Sequence, residues 1–170
     1  MNFKRDSCLS EVSYEDGPIE GVEFHNPDVH IDARGWLMEL YRHDELDPSD
    51  FPQMAYVSAT KPGITRGPHA HRHQTDLFAF LGPGQFDLYL WDSRPTSSTF
   101  GRRMTVRVGA DDLRIVIVPP GVVHGYKNVS AVDGWVFNFP NQLYAGRERR
   151  EPVDEIRYEE IRDSPFIIDQ

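Results

Sequence analysis

At 170 residues and 19.6 kDa the chain has the length of one compact domain with a core, and no room for a second of ordinary size. With 39% hydrophobic and 26% charged residues it excludes global disorder, and no apolar run approaches the ~20 residues that a membrane-spanning helix needs. A formal net charge of −9 excludes broad nucleic-acid binding driven by counterion release.

The first stretch, Met1 to Pro18, is polar and lacks the apolar run of a signal peptide. The lone Cys8 offers neither an internal disulfide nor a thiolate cluster. A soluble, cytoplasmic protein held together by packing is the expectation. Beyond that end, hydrophobic alternation in short runs dominates and predicts strands over 36–41, 54–59, 76–81, 86–92, 104–108, 114–118 and 134–139. Turn chemistry separates them at Lys61-Pro62-Gly63, Gly82-Pro83-Gly84 and Pro119-Pro120-Gly121. Helix is scarce: Asp47 and Pro48 can cap and open one short turn, and another fits after Ala145. The reading is one all-β domain over 1–170, a sandwich or barrel. Its charge-rich or polar ends, about 1–18 and 147–170, are expected to fray or wrap a partner.

Polar chemistry concentrates in two places. In an extended segment His69, His71 and His73 share one face, because side chains alternate with period two, and Asp76 follows closely. Far along the chain, Pro119-Pro120-Gly121 leads to His124 just after a turn. Convergent imidazoles beside a carboxylate serve as proton acceptors near neutral pH, as metal ligands, or as hydrogen-bonded interior groups. The residues alone leave these open, with His73 read as a rim residue. Fifteen of the 18 cationic residues are Arg, whose planar fork suits phosphate or carboxylate in an anionic small ligand. Trp135, Phe137 and Phe139 alternate on one face and read as packing core, which turns Asn138 toward the other side.

Gly63, His69, His71, Asp76, then Pro119, Gly121, His124 and Asn128 resemble the two cupin motifs, with Asp76 where Glu is usual and Leu113 where the second motif has its leading Gly. That resemblance implies a cupin fold, a double-stranded β-helix jelly roll. The series Asp32-Ala33-Arg34-Gly35, Thr65 to His69, Asp92-Ser93-Arg94, Ser98 to Gly101, Pro120 to Tyr126 and Tyr144 is similar to the dTDP-4-dehydrorhamnose 3,5-epimerase family, from about Gly21 to Tyr144. What it implies is a homodimer, joined through the amino-terminal strands, that needs no metal and acts on a nucleotide sugar. Position by position, Arg34 and Arg66 would hold the diphosphate, His69 would remove the proton beside the sugar ketone, and His124 and Tyr144 would line the nucleotide end. The pattern departs at the family's catalytic Tyr, where Asn138 stands, and at its Lys, which falls near Asp76 or Leu77. The run Arg66-Gly67-Pro68-His69-Ala70-His71, with Tyr56, also resembles dTDP-hexose 3,4-ketoisomerases, whose paired histidines shuttle a proton.

Three functions follow as expectations. The first is a nucleotide-sugar epimerase or isomerase acting on a dTDP-4-keto-6-deoxyhexose, with His69, His71 and Asp76 catalytic and Arg34, Arg66, Tyr56, His124, Asn138 and Tyr144 binding substrate, without a cofactor. The second is a metal cupin in which His69, His71, Asp76 and His124 hold Fe, Mn, Ni or Zn. The third is a non-catalytic module that binds nucleotide sugars.

Overall fold

The computed structural model describes residues 12–168. Its strands are β1 (Glu15–Asp16), β2 (Glu23–His25), β3 (Val29–Asp32), β4 (Gly35–Met38), β5 (Tyr56–Thr60), β6 (Thr65–Ala70), β7 (Asp76–Phe80), β8 (Gln85–Asp92), β9 (Arg102–Gly109), β10 (Arg114–Val118), β11 (Val122–Asn128), β12 (Gly134–Asn138) and β13 (Ile156–Arg157). They form two facing sheets, ordered β1-β9-β8-β11-β6-β13 and β2-β10-β7-β12-β5, while β3 and β4 form a separate two-stranded sheet. Every pairing is antiparallel except β1 with β9. This is a cupin jelly roll.

The sandwich closes on side chains that alternation sends inward. Along β8, Phe86, Leu88 and Leu90 are fully buried and meet Phe80, Val116 and Val136 from the other sheet. Phe78, Phe80, Phe86 and Tyr126 pack their rings tilted or edge to face, with centroids 5.5 to 6.1 Å apart. Each such burial contributes roughly 1.5–3 kcal/mol relative to exposure. At one end this apolar column stops: the Phe78 ring meets the His124 ring at 5.5 Å, and polar residues take over.

The strands predicted over 76–81, 86–92, 104–108, 114–118 and 134–139 form within two residues of those bounds. Other elements differ. The predicted strand 36–41 is the shorter Gly35–Met38, half of an exposed hairpin, and 54–59 begins later, at Tyr56. His124 follows the Pro120-Gly121 turn, as read, and lies inside β11, which pairs on both sides, with β6 and β8. Val136 and Asn138 face the interior; Trp135 is 46% exposed, and Phe137 and Phe139 pack on the outer surface of their sheet. The carboxyl end, predicted to fray, is instead seated: Ile156 pairs with Ala70, and Phe166 and Ile168 are buried against Trp91 and Val123. Its charged residues alternate with apolar ones that find a core, which overrides the charge pattern. At the other end β1 pairs with β9, and the expectation for 1–11 lies outside the described residues. The short turn at Pro48–Asp50 forms as predicted, with the Asp47 carboxylate accepting from the Ser49 N–H at 2.8 Å.

Candidate functional site

The polar end of the sandwich opens into a pocket of about 1330 Å3 walled by both sheets and by the chain after β12. On the first sheet, β6 and β11 pair with a register shift: His124 faces His69, while Tyr126 faces Arg66. Two steps on β11 thus match three on β6, a bulge at Gly67-Pro68. Without it Arg66 and His69 would point to opposite faces; with it both line the pocket. Only glycine fits the bulge. Gly67 has φ +81°, and a Cβ there would lie 2.7 Å from the His124 carbonyl oxygen and 2.9 Å from His69 Nδ1.

His69, at the pocket floor, packs its ring against His124 (centroids 4.5 Å) and His71 (5.4 Å). Burial, together with the neighbouring His124 and His71, holds its pKa down to about 2, so the imidazole is neutral with a lone pair to offer. His71, one step past β6, donates from Nδ1 to the Asp154 carbonyl. Its Nε2 lies 3.2 Å from Asp76 Oδ2. Burial opposes charge on His71, but the Asp76 carboxylate and the Asp154 carbonyl outweigh it and raise its pKa.

Asp76 opens β7 on the facing sheet and is 1% exposed. Its Oδ1 accepts from Gln74 Nε2 and from Asn138 Nδ2, each at 2.8 Å. Its Oδ2 lies 3.2 Å from His71 Nε2 and 3.3 Å from His124 Nε2, at angles that leave both Oδ2 and His124 Nε2 without a hydrogen bond. Burial alone would raise the carboxyl; the flanking His124 and His71 pull it well below its usual range. Because His124 Nδ1 meets the Val122 carbonyl at 3.1 Å, and a carbonyl only accepts, Nδ1 carries a hydrogen and Nε2 faces the carboxylate. Nitrogen and oxygen atoms of His69, His71, Asp76 and His124 all lie within 4.8 Å of one another.

From the facing sheet Asn138 donates at 2.8 Å to the Tyr56 hydroxyl oxygen, which leaves the phenol hydrogen free for the pocket. Burial and the nearby Asp76 push the Tyr56 phenol far up, so it stays protonated. Tyr126 shares its hydroxyl with Ser58 Oγ at 3.0 Å.

The structure brings His69, His71, Asp76, Tyr56, Arg66, Asn138 and His124 together at one end, with Tyr144 on the pocket wall. Three sequence expectations change. His124 is 1% exposed beneath His69, not at a nucleotide end, because β11 runs through the middle of its sheet. Asn138 is equally buried and sits behind Tyr56, holding it. Arg34 does not reach the pocket of its own chain: it sits in the β3–β4 turn, its Nη2 2.5 Å from Asp32 Oδ2. Sequence reasoning missed Gln74 and Asp154. For Gln74 the signal was its place between His71 and Asp76; for Asp154, distant in sequence, there was none.

A jelly roll with buried imidazoles and a carboxylate at one open end defines a cupin. The sequence pattern of the dTDP-4-dehydrorhamnose 3,5-epimerase family matches residues 16–152, and the chain belongs to that family. It is 32% identical over 140 residues to the probable low-salt glycan biosynthesis epimerase Agl13 of Haloferax volcanii, covering 80% of this chain and 89% of that protein. To the spore coat polysaccharide biosynthesis protein SpsL of Bacillus subtilis it is 31% identical, covering 81% and 91%. Among solved structures, a dTDP sugar isomerase from Desulfovibrio desulfuricans superimposes with a TM-score of 0.72 at 24% identity, covering 88% and 91%. The 3'-monoepimerase ChmJ of Streptomyces bikiniensis, in complex with dTDP-quinovose, gives 0.71 at 22%, covering 84% and 71%.

Proposed function

We propose that this protein isomerises a nucleotide-linked 4-keto-6-deoxyhexose by removing a proton from the carbon beside the ketone. The observation that carries the reading is a pocket lined from one sheet by a neutral His69 and from the other by Tyr56, whose hydroxyl hydrogen Asn138 leaves free. The C–H bond breaks, its proton passes to His69, and its electron pair forms the enolate. Burial penalises the imidazolium only until the enolate appears beside it, since the two charges form together. His71, whose pKa the Asp76 carboxylate and the Asp154 carbonyl raise, stands where a proton taken up would add positive charge beside the enolate. Tyr56 then delivers its proton to carbon. Arg66, whose Nε is held by Thr60 Oγ1 at 2.9 Å, anchors the diphosphate so that remote binding orients the ring. The second copy of a homodimer completes the site: the β3–β4 hairpin exposes Ile31 (81%), Trp36 and Leu37 (63% each), and carries Arg34 at its tip.

Proton NMR of dTDP-4-keto-6-deoxyglucose with chelator-treated protein in D2O tests the chemistry. Loss of the signal at the third or fifth carbon supports it, and the carbon that exchanges separates epimerisation from ketone migration. No loss overturns it for this sugar.

One observation favours a second reading. Asp76 Oδ2 and His124 Nε2 face each other buried and unbonded, with His69 and His71 in reach, which fits a divalent cation such as Fe, Mn, Ni or Zn. A cation there would polarise the substrate ketone as a Lewis acid. Stoichiometric metal in untreated protein, with deuterium exchange lost on chelation, would select this reading; exchange by metal-free protein would dismiss it.

A further inference from the structure

The family match ends at residue 152, yet the pocket wall continues past it, through Asp154, Glu155 and Arg157. Asp154 makes an unusual set of bonds. Its carboxylate accepts from three consecutive backbone N–H groups of the turn after β6: Arg72 at 3.0 Å, His73 at 2.8 Å and Gln74 at 3.1 Å. Successive N–H groups aimed at one point form an anion-binding concavity, here filled by a side chain of the same molecule. Its main-chain carbonyl, meanwhile, accepts the Nδ1 hydrogen of His71. The segment is fixed beyond this point too, where β13 pairs Ile156 with Ala70 and Arg157 with His69. At its far end Phe166 packs against Tyr158 (4.6 Å) and Trp91 (5.7 Å).

A free imidazole can place its proton on either nitrogen and rotate about χ2. Both freedoms are removed at His71. The carbonyl requires a hydrogen on Nδ1, so the ring must turn Nε2 toward Asp76 Oδ2, 3.2 Å away. The carboxylate of the same residue grips the turn that follows His71, which holds the carbonyl against the ring beside the anchoring that β13 supplies. Gln74, whose N–H is the third donor, reaches from the same turn to Asp76 Oδ1 at 2.8 Å. One residue thus orients His71 through its carbonyl and aligns Gln74 through its carboxylate.

We propose that Asp154, which lies beyond the residues that the family pattern matches, is the positioning residue of the site, clamping the 72–74 turn and fixing the proton and orientation of His71. The inference rests on the reading that His71 works in the site, and it holds whether His71 moves a proton or binds a cation, since both need Nε2 directed inward.

The test follows the His71 ring nitrogens by long-range 1H–15N NMR in the full chain, beside deuterium exchange of dTDP-4-keto-6-deoxyglucose. In wild type the His71 Nδ1 hydrogen is bonded and slow to exchange. Asp154→Ala releases the turn: that resonance is lost, and turnover falls about tenfold or more while dTDP affinity stays at the wild-type value. Asp154→Asn keeps one acceptor oxygen and recovers part of both signals. Glu160→Gln, which breaks an exposed ion pair with Arg157 on the same segment, leaves both unchanged. A His71 Nδ1 hydrogen that survives in folded Asp154→Ala overturns the proposal, as does an Asp154→Asn variant no better than Ala. Loss of the resonance with turnover untouched would overturn the role of His71 and leave the clamp standing; wild-type protein that exchanges no substrate hydrogen would count against the proposed reaction while the NMR arm still decides the clamp.

Discussion

Two buried aspartates, one on each sheet, show how differently the same side chain can be used. Asp92, at the end of β8, is 0% exposed and every lone pair is taken: Arg94 donates from N, Nε and Nη2 at 3.1, 2.8 and 2.8 Å, and Ser97 Oγ and Thr99 Oγ1 each donate at 2.6 Å. Asp76 is as deeply buried, yet only Oδ1 is satisfied, while Oδ2 faces two imidazole nitrogens and bonds to neither. A saturated buried carboxylate pins a turn. An unsaturated one keeps capacity for a hydrogen-bond donor or a cation, and native interiors rarely leave such capacity unused.

The contrast is broken most severely at the unsaturated end by His69→Ala. Turnover should fall by roughly 10²–10⁴, the range of a positioned acid–base group, with dTDP affinity near wild type and the urea midpoint little changed. Retained turnover in that variant would remove His69 from the role of base. Asp92→Ala should do the reverse. It strands a partly buried guanidinium and two hydroxyls, costing about 3 kcal/mol by urea denaturation, with turnover per folded molecule intact. If Asp92→Ala were neutral in stability and harmful to turnover, the division between the two carboxylates would collapse.

Acid sharpens the same division. The Asp92 carboxyl, which burial alone would raise, is held well below its usual value by the bonds from Arg94, Ser97 and Thr99. A depressed folded pKa contributes stability that is present above the unfolded value of about 3.9 and is lost as the pH falls through the folded one. The urea midpoint should therefore decline below about pH 4, and Asp92→Asn should flatten that decline. An equal slope in the variant would assign acid unfolding to other groups.

The strands that form the core were legible because alternation is a local signal: Phe86, Leu88 and Leu90 announce β8 without reference to any partner. Period-two spacing put His69 and His71 on one face, while the joining of Asp76 and the distant His124 to them came from the resemblance to the two cupin motifs, and the structure brings all four together. Depth was not legible. That His124 and Asn138 sit beneath the pocket surface depends on which strands lie centrally in each sheet, a long-range outcome. The bulge at Gly67-Pro68 also escaped, although it is what turns Arg66 and His69 to the same side. Asp154 lay furthest out of reach, because its bonds span 80 or more residues and its neighbourhood reads as an ordinary charged tail.

The smallest expected effect on stability, and the most informative about assembly, belongs to Arg34→Ala. The Arg34 side chain is 90% exposed and, among the described residues, pairs with Asp32 of its own turn, so thermal stability should not move. Arg34 is not among the residues that line the pocket of its own chain, and a monomeric enzyme should therefore keep its KM in the variant. If the hairpin seats on a second copy and carries Arg34 to the partner's diphosphate, KM should rise about tenfold, the loss of a charge-assisted hydrogen bond, with kcat unchanged. Trp36→Asp, which places a charge on the exposed apolar face of the same hairpin, then separates the explanations: it should shift the sedimenting species toward monomer and raise KM together. A monomer that keeps wild-type KM would confine the whole site to one chain and leave Arg34 as a turn residue.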